Sequence, residues 1–284
     1  MKRIILMLSV LIVALSLSAQ SLLSFGARGG FEFMMPKSGQ TTNTQLGCSG
    51  ALDIGYTCYW QAYKGDWGIH TGLSAGYAMN GCQIELNQQY TNFDYLNNEM
   101  LYTVTGDVSA RLRRAYLEVP IMAALRYNGF ILQLGLKEQV SVWSQATQIV
   151  RDASIDAYYV PYDVHITDQL VTGILSPEQK KEQIQSGGSL LFSLLAAMRI
   201  GYEEKVSKTG RVGIIIYLDY NVWNSGLATT HSTTPLIYVS PITDTNYPVP
   251  TVTVNNAFST VLTNVNPIQV GLSIYYAIEF KNKR

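Results

Sequence analysis

Charged residues are scarce in this chain, and the two signs cancel. Only 14% of the 284 residues are charged, and 20 acidic side chains balance 20 Lys and Arg. A chain with no net charge has no basic excess for binding a polyanion such as nucleic acid. Beyond the N-terminal segment no run of about 18 apolar residues occurs, which excludes a membrane-spanning helix. Yet 47% of the residues are hydrophobic and 19 are Tyr, a composition that favours a membrane β-barrel over a soluble enzyme.

The N-terminal segment has the parts of a secretory signal peptide. Two basic residues precede the apolar run 4–17, and the small residues Ser18 and Ala19 follow it. This order predicts cleavage after Ala19, removal of residues 1–19 and export of a single barrel domain, residues 20–284. No cysteine lies at the cleavage region, which disfavours a lipoprotein anchor. The expected location is the outer membrane of a bacterial cell.

The clearest strand pattern lies in residues 113–143. Two alternating segments of about a dozen residues flank Asn128-Gly129, a pair that favours a two-residue type I′ turn. In both segments one face is apolar, while the other mixes small, polar and charged side chains. A strand with lipid on one side and a narrow lumen on the other has this alternation. The apolar face consists of Ala115, Leu117, Val119, Ile121, Ala123, Leu125, Tyr127, Phe130, Leu132, Leu134 and Leu136.

Six further segments show the same period of two residues, and together with the hairpin they predict an all-β, eight-stranded antiparallel transmembrane β-barrel. An even number of strands places both termini on the periplasmic side. The six segments are residues 23–34, 50–62, 67–79, 190–203, 212–222 and 268–280. Three short periplasmic turns are predicted at 63–66, 128–129 and 204–210. Four long extracellular loops are predicted at 35–49, 80–112, 143–189 and 224–265.

Two alternatives to this fold stay open at the level of sequence. Segments 236–240 and 251–254 have a strand-like composition and would raise the number of strands to ten. A soluble ligand-binding barrel would instead place the apolar faces inside.

Three segments of these strands resemble a known family. FGARGGF in the first strand, YLEVP in the central strand and QVGLSIYYAIEF in the last resemble the small outer-membrane β-barrels of Bacteroidetes, generically labelled porin-family or OmpA-like. The resemblance covers the strands, and it implies the same barrel fold and location. The chain departs from the pattern in that residues 281–284 follow the terminal aromatic residue. No peptidoglycan-binding domain follows, so the resemblance does not imply wall anchoring.

Charged residues on the inward faces fall in a lumen that is only wide enough for side chains. Because an unpaired buried charge is costly, we expect opposite charges to pair there and plug the barrel. A narrow ion path or proton relay is the alternative use of such charges. The predicted lumen charge network is Arg28, Glu32, Asp53, His70, Glu118, Arg126, Lys137, Arg199, Asp219 and Glu279, with Glu203 on the same face.

Outward aromatic residues near the short turns predict one membrane interface, since aromatic rings concentrate at the level of the lipid headgroups. This set consists of Trp60, Trp67, Tyr127, Phe130, Tyr202 and Phe280. Phe33, Tyr77 and Tyr220 occupy the opposite ends of the strands.

The three cysteines suggest one crosslink. Cys48 and Cys82 lie at the outer ends of neighbouring strands in an oxidising compartment, which predicts a disulfide between them. Counting around the 63–66 turn places Cys48 opposite Gly81, so this bond requires a bulge or loop slack. Two free thiols are the alternative. Cys58 falls on the apolar face.

Signals of catalysis are sparse. His165 and His231, both in predicted loops, are the candidates for a catalytic base, and no nucleophile motif accompanies them. No phosphate-binding loop or metal-spaced Cys/His motif occurs, and no cofactor is expected. We therefore predict a non-enzymatic protein with a structural or surface-interaction role. A small porin-like channel and, third, an outer-leaflet enzyme are the alternatives.

The predicted loops contain the most chemically diverse surface. Residues 83–112 are rich in Asn, Gln and Tyr, a composition typical of adaptable recognition surfaces. The same composition fits strands that continue above the membrane, which is the interpretation we favour. The expected partners are outer-membrane lipid, the barrel-assembly machinery during biogenesis, and an extracellular protein or glycan.

Overall fold

The structure is a computed structural model. It describes residues 20–37, 42–62, 65–94, 96–166, 181–184, 191–224, 237–239, 252–254 and 263–280. The predicted signal peptide, residues 63–64 of the first short turn and His231 lie outside these residues. No helix of the described part is long and apolar enough to cross a membrane.

Eight long strands form a closed antiparallel ring. Each pairs with the next ring strand, and the first closes the ring against the last, with Phe25 opposite Tyr276. The ring strands are β1 (Gln20–Lys37), β2 (Thr42–Ala62), β3 (Gly65–Phe93), β4 (Glu99–Tyr127), β5 (Phe130–Tyr159), β8 (Leu191–Lys205), β9 (Gly210–Asn224) and β12 (Thr263–Phe280). The prediction of an eight-stranded antiparallel barrel is confirmed.

Among the described residues, four short strands lie outside the ring. β6 (Val164–Ile166) and β7 (Lys181–Ile184) pair with the outer part of β5. β10 (Ile237–Val239) and β11 (Val252–Val254) form a separate two-stranded sheet. The ten-stranded alternative is therefore wrong, because the described parts of the 236–240 and 251–254 segments, residues 237–239 and 252–254, pair with each other instead of entering the ring.

The turn between β4 and β5 has the predicted geometry. Tyr127 pairs with Phe130, and the two residues between them have positive φ angles, 49° at Asn128 and 84° at Gly129. Both central residues of a type I′ turn require this region, which Asn and Gly enter at the lowest cost. This turn sets the register of the longest pair of ring strands.

The apolar faces point outward. In the described barrel wall Leu52, Ile121 and Ile216 are 70%, 63% and 58% exposed. On each of their strands, the residues that alternate with this outward face point inward and are mostly polar or small. Glu138, level with Val119, is a charged exception on the outer face. An exposed apolar wall around a polar lumen is the reverse of a soluble ligand-binding barrel, so that alternative is wrong.

Strands β3, β4 and β5 are far longer than a membrane crossing requires. They contain 29, 29 and 30 residues, against roughly 9 to 11 for a tilted membrane strand. We name the part beyond the apolar wall, residues 83–109 and 144–159, the projection. The predicted long connection over 80–112 consists largely of strand, since β3 runs to Phe93 and β4 begins at Glu99. The favoured interpretation, that the strands continue beyond the wall, is confirmed.

The projection has its own apolar core. Above the wall the apolar and polar faces exchange sides, because water replaces lipid outside. Ile84, Val104 and Val108 there point inward and have no exposed surface. The β10–β11 hairpin packs on this inner face. Asn92 Nδ2 donates to the carbonyl of Val239 at 2.8 Å, and the backbone amide of Val239 donates to Tyr90 Oη at 2.7 Å.

A charge placed on the outer wall tests its contact with lipid. Ile121 lies halfway along the apolar part of β4, between Thr71 and Leu136 on the neighbouring strands. We expect Ile121→Arg to lower the free energy of unfolding by about 2–4 kcal/mol in lipid vesicles. Urea titration of the vesicle-embedded protein measures this change.

Val206→Arg is the matched control, because Val206 is 58% exposed in a short turn. It should change the free energy of unfolding by no more than about 0.5 kcal/mol. Equal stability of the two variants would mean that the wall does not face lipid.

Candidate functional site

Five charged side chains from five strands meet at the centre of the lumen, and we name them the central cluster. Arg28 Nη2 lies 2.9 Å from Glu118 Oε1, and Lys137 Nζ lies 3.2 Å from the same oxygen. Lys137 Nζ also contacts Asp219 Oδ2 at 2.6 Å. Arg28 approaches Asp219 and Asp53 at 3.6 Å each. Four of the five side chains are at most 2% exposed, so their charges are compensated within the barrel.

An aromatic ring supports the two cations of this cluster. The guanidinium of Arg28 and the ammonium of Lys137 lie 5.6 and 5.7 Å from the centroid of Tyr217. Gly30 and Gly271 make room for this side chain, because a Cβ at either position would lie 2.6 or 2.7 Å from Tyr217 Oη. Glycines on β12 and β1 thus leave space for the Tyr217 side chain of β9 in the narrow lumen.

A second group of charges closes the end that bears the short turns. Glu203 contacts Arg126 at 3.4 Å and Arg211 at 3.2 Å, and it accepts a hydrogen bond of 2.7 Å from Tyr275 Oη. Arg211 Nε also contacts Glu279 at 3.0 Å. We name these five residues the short-turn cluster.

A third group lies on the side of the long connections. Glu32 receives Arg114 Nη2 at 2.5 Å, Asn80 Nδ2 at 2.6 Å and Gln269 Nε2 at 3.1 Å. Its carboxylate has no exposed surface, and three donors satisfy it. The described part of the lumen therefore contains three successive layers of paired charge.

A small cavity separates the short-turn cluster from the central cluster. Its volume of about 40 Å³ holds a few water molecules. His70 lines it, with Nδ1 at 2.8 Å from Thr57 Oγ1 and Nε2 at 3.3 Å from Arg199 Nη1. Arg199 has no carboxylate partner within 4.0 Å among the described residues, although the central cluster beside it contains three acids and two bases.

All ten residues of the predicted lumen network lie inside the barrel. Nine of them are buried, and Asp53 is partly exposed. The structure brings most of them into the three clusters, but it pairs Arg199 with His70 instead of an acid.

Sequence reasoning missed several partners in these clusters. Arg114 has the inward parity of Glu118 and lies inside the predicted 113–143 segment, but it was not assigned to the network. Arg211 has the inward parity of Asp219 but lies one residue before the predicted 212–222 segment. Asp66, which contacts Arg126 at 2.6 Å, was assigned to a turn. Continuing each alternating pattern to the next turn would have found all three. The inward tyrosines that contact the cations were not predicted, because the search of the inward faces considered only charged residues.

The six predicted interface aromatics lie on the outer wall at the short-turn end. Five of them, Trp67, Tyr127, Phe130, Tyr202 and Phe280, are about half exposed, from 49% to 57%. Trp60 lies opposite Trp67 and is partly exposed. At the other end of the wall, Tyr77 stacks against Trp143 with ring centroids 6.4 Å apart.

The predicted disulfide between Cys48 and Cys82 is wrong, since both thiols are free. Ala62 pairs with Gly65, so the first turn has two residues between its strands and Cys48 lies opposite Met79. A register shift between Gln45 and Cys48 then places Cys82 opposite Thr44. Cys48 is exposed on the outer face and Cys82 is buried, so the two side chains point apart.

The end of the projection is built from two turns. Asp94 Oδ1 accepts hydrogen bonds from the backbone amides of Leu96 and Asn98 at 2.8 and 2.7 Å. Tyr159 joins the second turn to the first, because its hydroxyl donates to Asp94 and accepts from Asn98 Nδ2 at 2.8 Å. Although desolvation acts in the opposite direction, the bonds from Tyr159 and Asn98 lower the pKa of Asp94 below its ordinary value.

This end exposes apolar side chains, and Tyr162 stacks on Tyr159 with ring centroids 5.0 Å apart. We name the exposed set the tip patch. It consists of Phe93, Leu96, Val160, Tyr162 and Val164, which are 41% to 64% exposed.

His165 lies on the outer wall of the projection. Its Nδ1 is 3.2 Å from Asp156 Oδ2, and both side chains are more than half exposed, at 62% and 52%. The ring contacts Tyr158, whose hydroxyl donates to Asp163 at 2.7 Å; this bond raises the pKa of Tyr158. In the described chain no three His, Cys, Asp or Glu side chains are placed to hold a metal ion.

Comparisons with known proteins identify no family for this chain. No family model and no curated protein matches the chain. Among solved structures, the outer-membrane protease OmpT from Escherichia coli aligns with 92% of this chain and 97% of its own, at 8% sequence identity and a TM-score of 0.31. A likeness this weak carries no argument about activity. The resemblance to the Bacteroidetes barrels stays a prediction.

Removing Glu118 tests the central cluster. Glu118→Ala leaves Arg28 and Lys137 without their shared carboxylate in a closed lumen, so we expect the free energy of unfolding to fall by about 3–5 kcal/mol. Urea titration in lipid vesicles measures it. Glu118→Gln, which keeps the shape of the side chain, should show most of the loss.

Glu85→Ala serves as the control, because Glu85 is an exposed acid on the projection. Its effect should stay within about 0.5 kcal/mol. A Glu118→Ala barrel as stable as the control would refute the view that this carboxylate compensates buried charge.

Proposed function

We propose that the chain is an integral protein of the bacterial outer membrane that acts at the cell surface as a non-enzymatic interaction protein. Signal-directed export places it there, the barrel anchors it, and the projection presents the tip patch to a partner outside the cell. The exposed apolar end of a long, rigid strand hairpin is the observation that carries this proposal.

The layers of paired charge in the lumen support an anchoring role over a conducting one. The side chains of Glu118 and Lys137 have no exposed surface at the middle of the barrel. An ion entering there would have to separate ion pairs in a space that holds no bulk water. Transport of small solutes is therefore the weaker candidate.

The projection is suited to presenting a surface. With a strand rise of about 3.3 Å and a tilt near 40°, the sixteen residue steps from Tyr77 to Phe93 raise the tip patch about 40 Å above the interface. Continuous pairing of β3 with β4 and the packed inner face keep it stiff. Exposed aromatic and apolar side chains on a rigid support are typical of binding surfaces.

The same geometry argues against catalysis at His165. The His165–Asp156 pair resembles half of a catalytic triad, in which an acid orients the base. Both groups, however, stand in solvent on the outer wall. Catalytic groups act most strongly where a pocket excludes water and fixes the surrounding dipoles.

Adhesion of displaying cells tests the proposal. Bacteria displaying the intact chain, Leu96→Asp/Tyr162→Asp or Val206→Asp at equal surface levels are incubated with immobilised extracellular proteins and glycans. We expect intact and Val206→Asp cells to attach to at least one surface, and about ten-fold fewer cells of the double variant, because two charges disrupt the apolar contact.

Attachment of the double variant at the intact level would contradict a role for the tip patch. Intact cells that attach no better than cells without the protein would contradict the interaction function itself.

A further inference from the structure

Two arginines stand on the outer wall just above the aromatic pair at the long-connection end. On β4, Ala115 lies between Tyr77 of β3 and Trp143 of β5. Two residues further along β4 is Arg113, and two beyond it is Arg111, both exposed. Their side chains therefore point away from the barrel, on the same face as the aromatic pair.

Their height matches the headgroup region of a bilayer. Twelve residues of β4 separate Ala115 from Tyr127 at the short-turn interface, which corresponds to about 30 Å for a strand tilted near 40°. This is the thickness of a hydrocarbon core. On the same scale Arg113 lies about 5 Å and Arg111 about 10 Å beyond the apolar wall, where lipid phosphates lie.

The two charges are uncompensated by the described part of the protein. Neither guanidinium forms an ion pair with a described residue, in contrast to Arg28, Arg114 and Arg126 inside the lumen. The residues beside them on β3 and β5 are neutral. They are Met79, Gly81, Gln145 and Thr147.

On β3 and β4, the nearest acidic residues beyond Arg111 lie further out. Asp107, paired with Glu85, lies four residues beyond Arg111. The described outer face of β3 and β4 therefore carries two positive charges at the headgroup level, with the negative charges above it. A ligand that lies flat on the wall at this level must be anionic to gain from this pattern.

We propose that Arg111 and Arg113 bind the phosphate groups of a phosphorylated lipid headgroup in the outer leaflet. The planar guanidinium donates paired hydrogen bonds to phosphate oxygens. The acyl chains of the same lipid would lie along the apolar wall below, past Tyr77 and Trp143. This site rests on the outer-membrane location proposed above.

Titration calorimetry of the folded barrel in zwitterionic micelles tests the site, with bisphosphorylated lipid A as the probe. We expect Arg111→Gln and Arg113→Gln each to weaken binding about ten-fold, as loss of a charge-assisted contact does. The Arg111→Lys/Arg113→Lys variant should retain most of the affinity at low salt, because it keeps both charges. Lys208→Gln, which removes an exposed charge in a short turn, should leave the affinity unchanged.

Two further ligands separate the sources of phosphate. Dephosphorylated lipid A should bind far more weakly than the bisphosphorylated form, and inorganic phosphate should not displace the lipid at millimolar concentration. The proposal is overturned if an Arg111→Gln/Arg113→Gln double variant binds as tightly as the intact protein, if the Arg111→Lys/Arg113→Lys variant loses as much affinity as this double variant, or if inorganic phosphate competes.

The outer-membrane proposal has a separate readout, which is insertion of the same protein into lipid vesicles. A barrel that inserts into lipid vesicles but does not distinguish the two forms of lipid A contradicts this site alone. A chain that stays monodisperse without detergent and does not insert contradicts both.

Discussion

The lumen of an eight-stranded barrel is hardly wider than the side chains that fill it, and the inward charges of this chain must be compensated within that space. Arg28 and Lys137 are held between Glu118 and Asp219 with almost no exposed surface. Removing a single member leaves a buried charge unpaired, which costs far more than the intact pair contributes. The strand register that aligns these residues is therefore tied to the stability of the barrel.

The three charge clusters fill much of the described lumen, and the proposed function therefore rests on the outside of the molecule. The hydrogen bonds that pair β3 with β4 in the wall continue into the projection without an intervening loop. The membrane anchor and the projection that carries the tip patch thus share one sheet. Lipid faces the lower part of this sheet and water faces the upper part. Apolar side chains accordingly point outward in the wall and inward in the projection.

The alternation of residue types predicted the wall well, because lipid outside and charge inside impose opposite demands on successive residues. Ile121 and Glu118 show this contrast within one strand. The same rule failed beyond Arg113, where water lies outside and Val108 and Val104 point inward. An outer face in contact with water is polar, so the sequence of these strands resembles that of a loop. The cysteine prediction failed for a local reason, since a two-residue turn and one register shift separate Cys48 from Cys82. Contacts such as that of Tyr217 with two cations depend on three strands meeting, which no single segment encodes.

Single-channel recording in planar lipid bilayers tests the closed lumen most directly. Folded, inserted protein should give no discrete current steps, because ions cannot pass the layered charge clusters without separating buried ion pairs. Stable and reproducible conductance steps from the intact protein, altered by Glu118→Gln or Arg126→Gln, would contradict the account and assign the barrel to the channels.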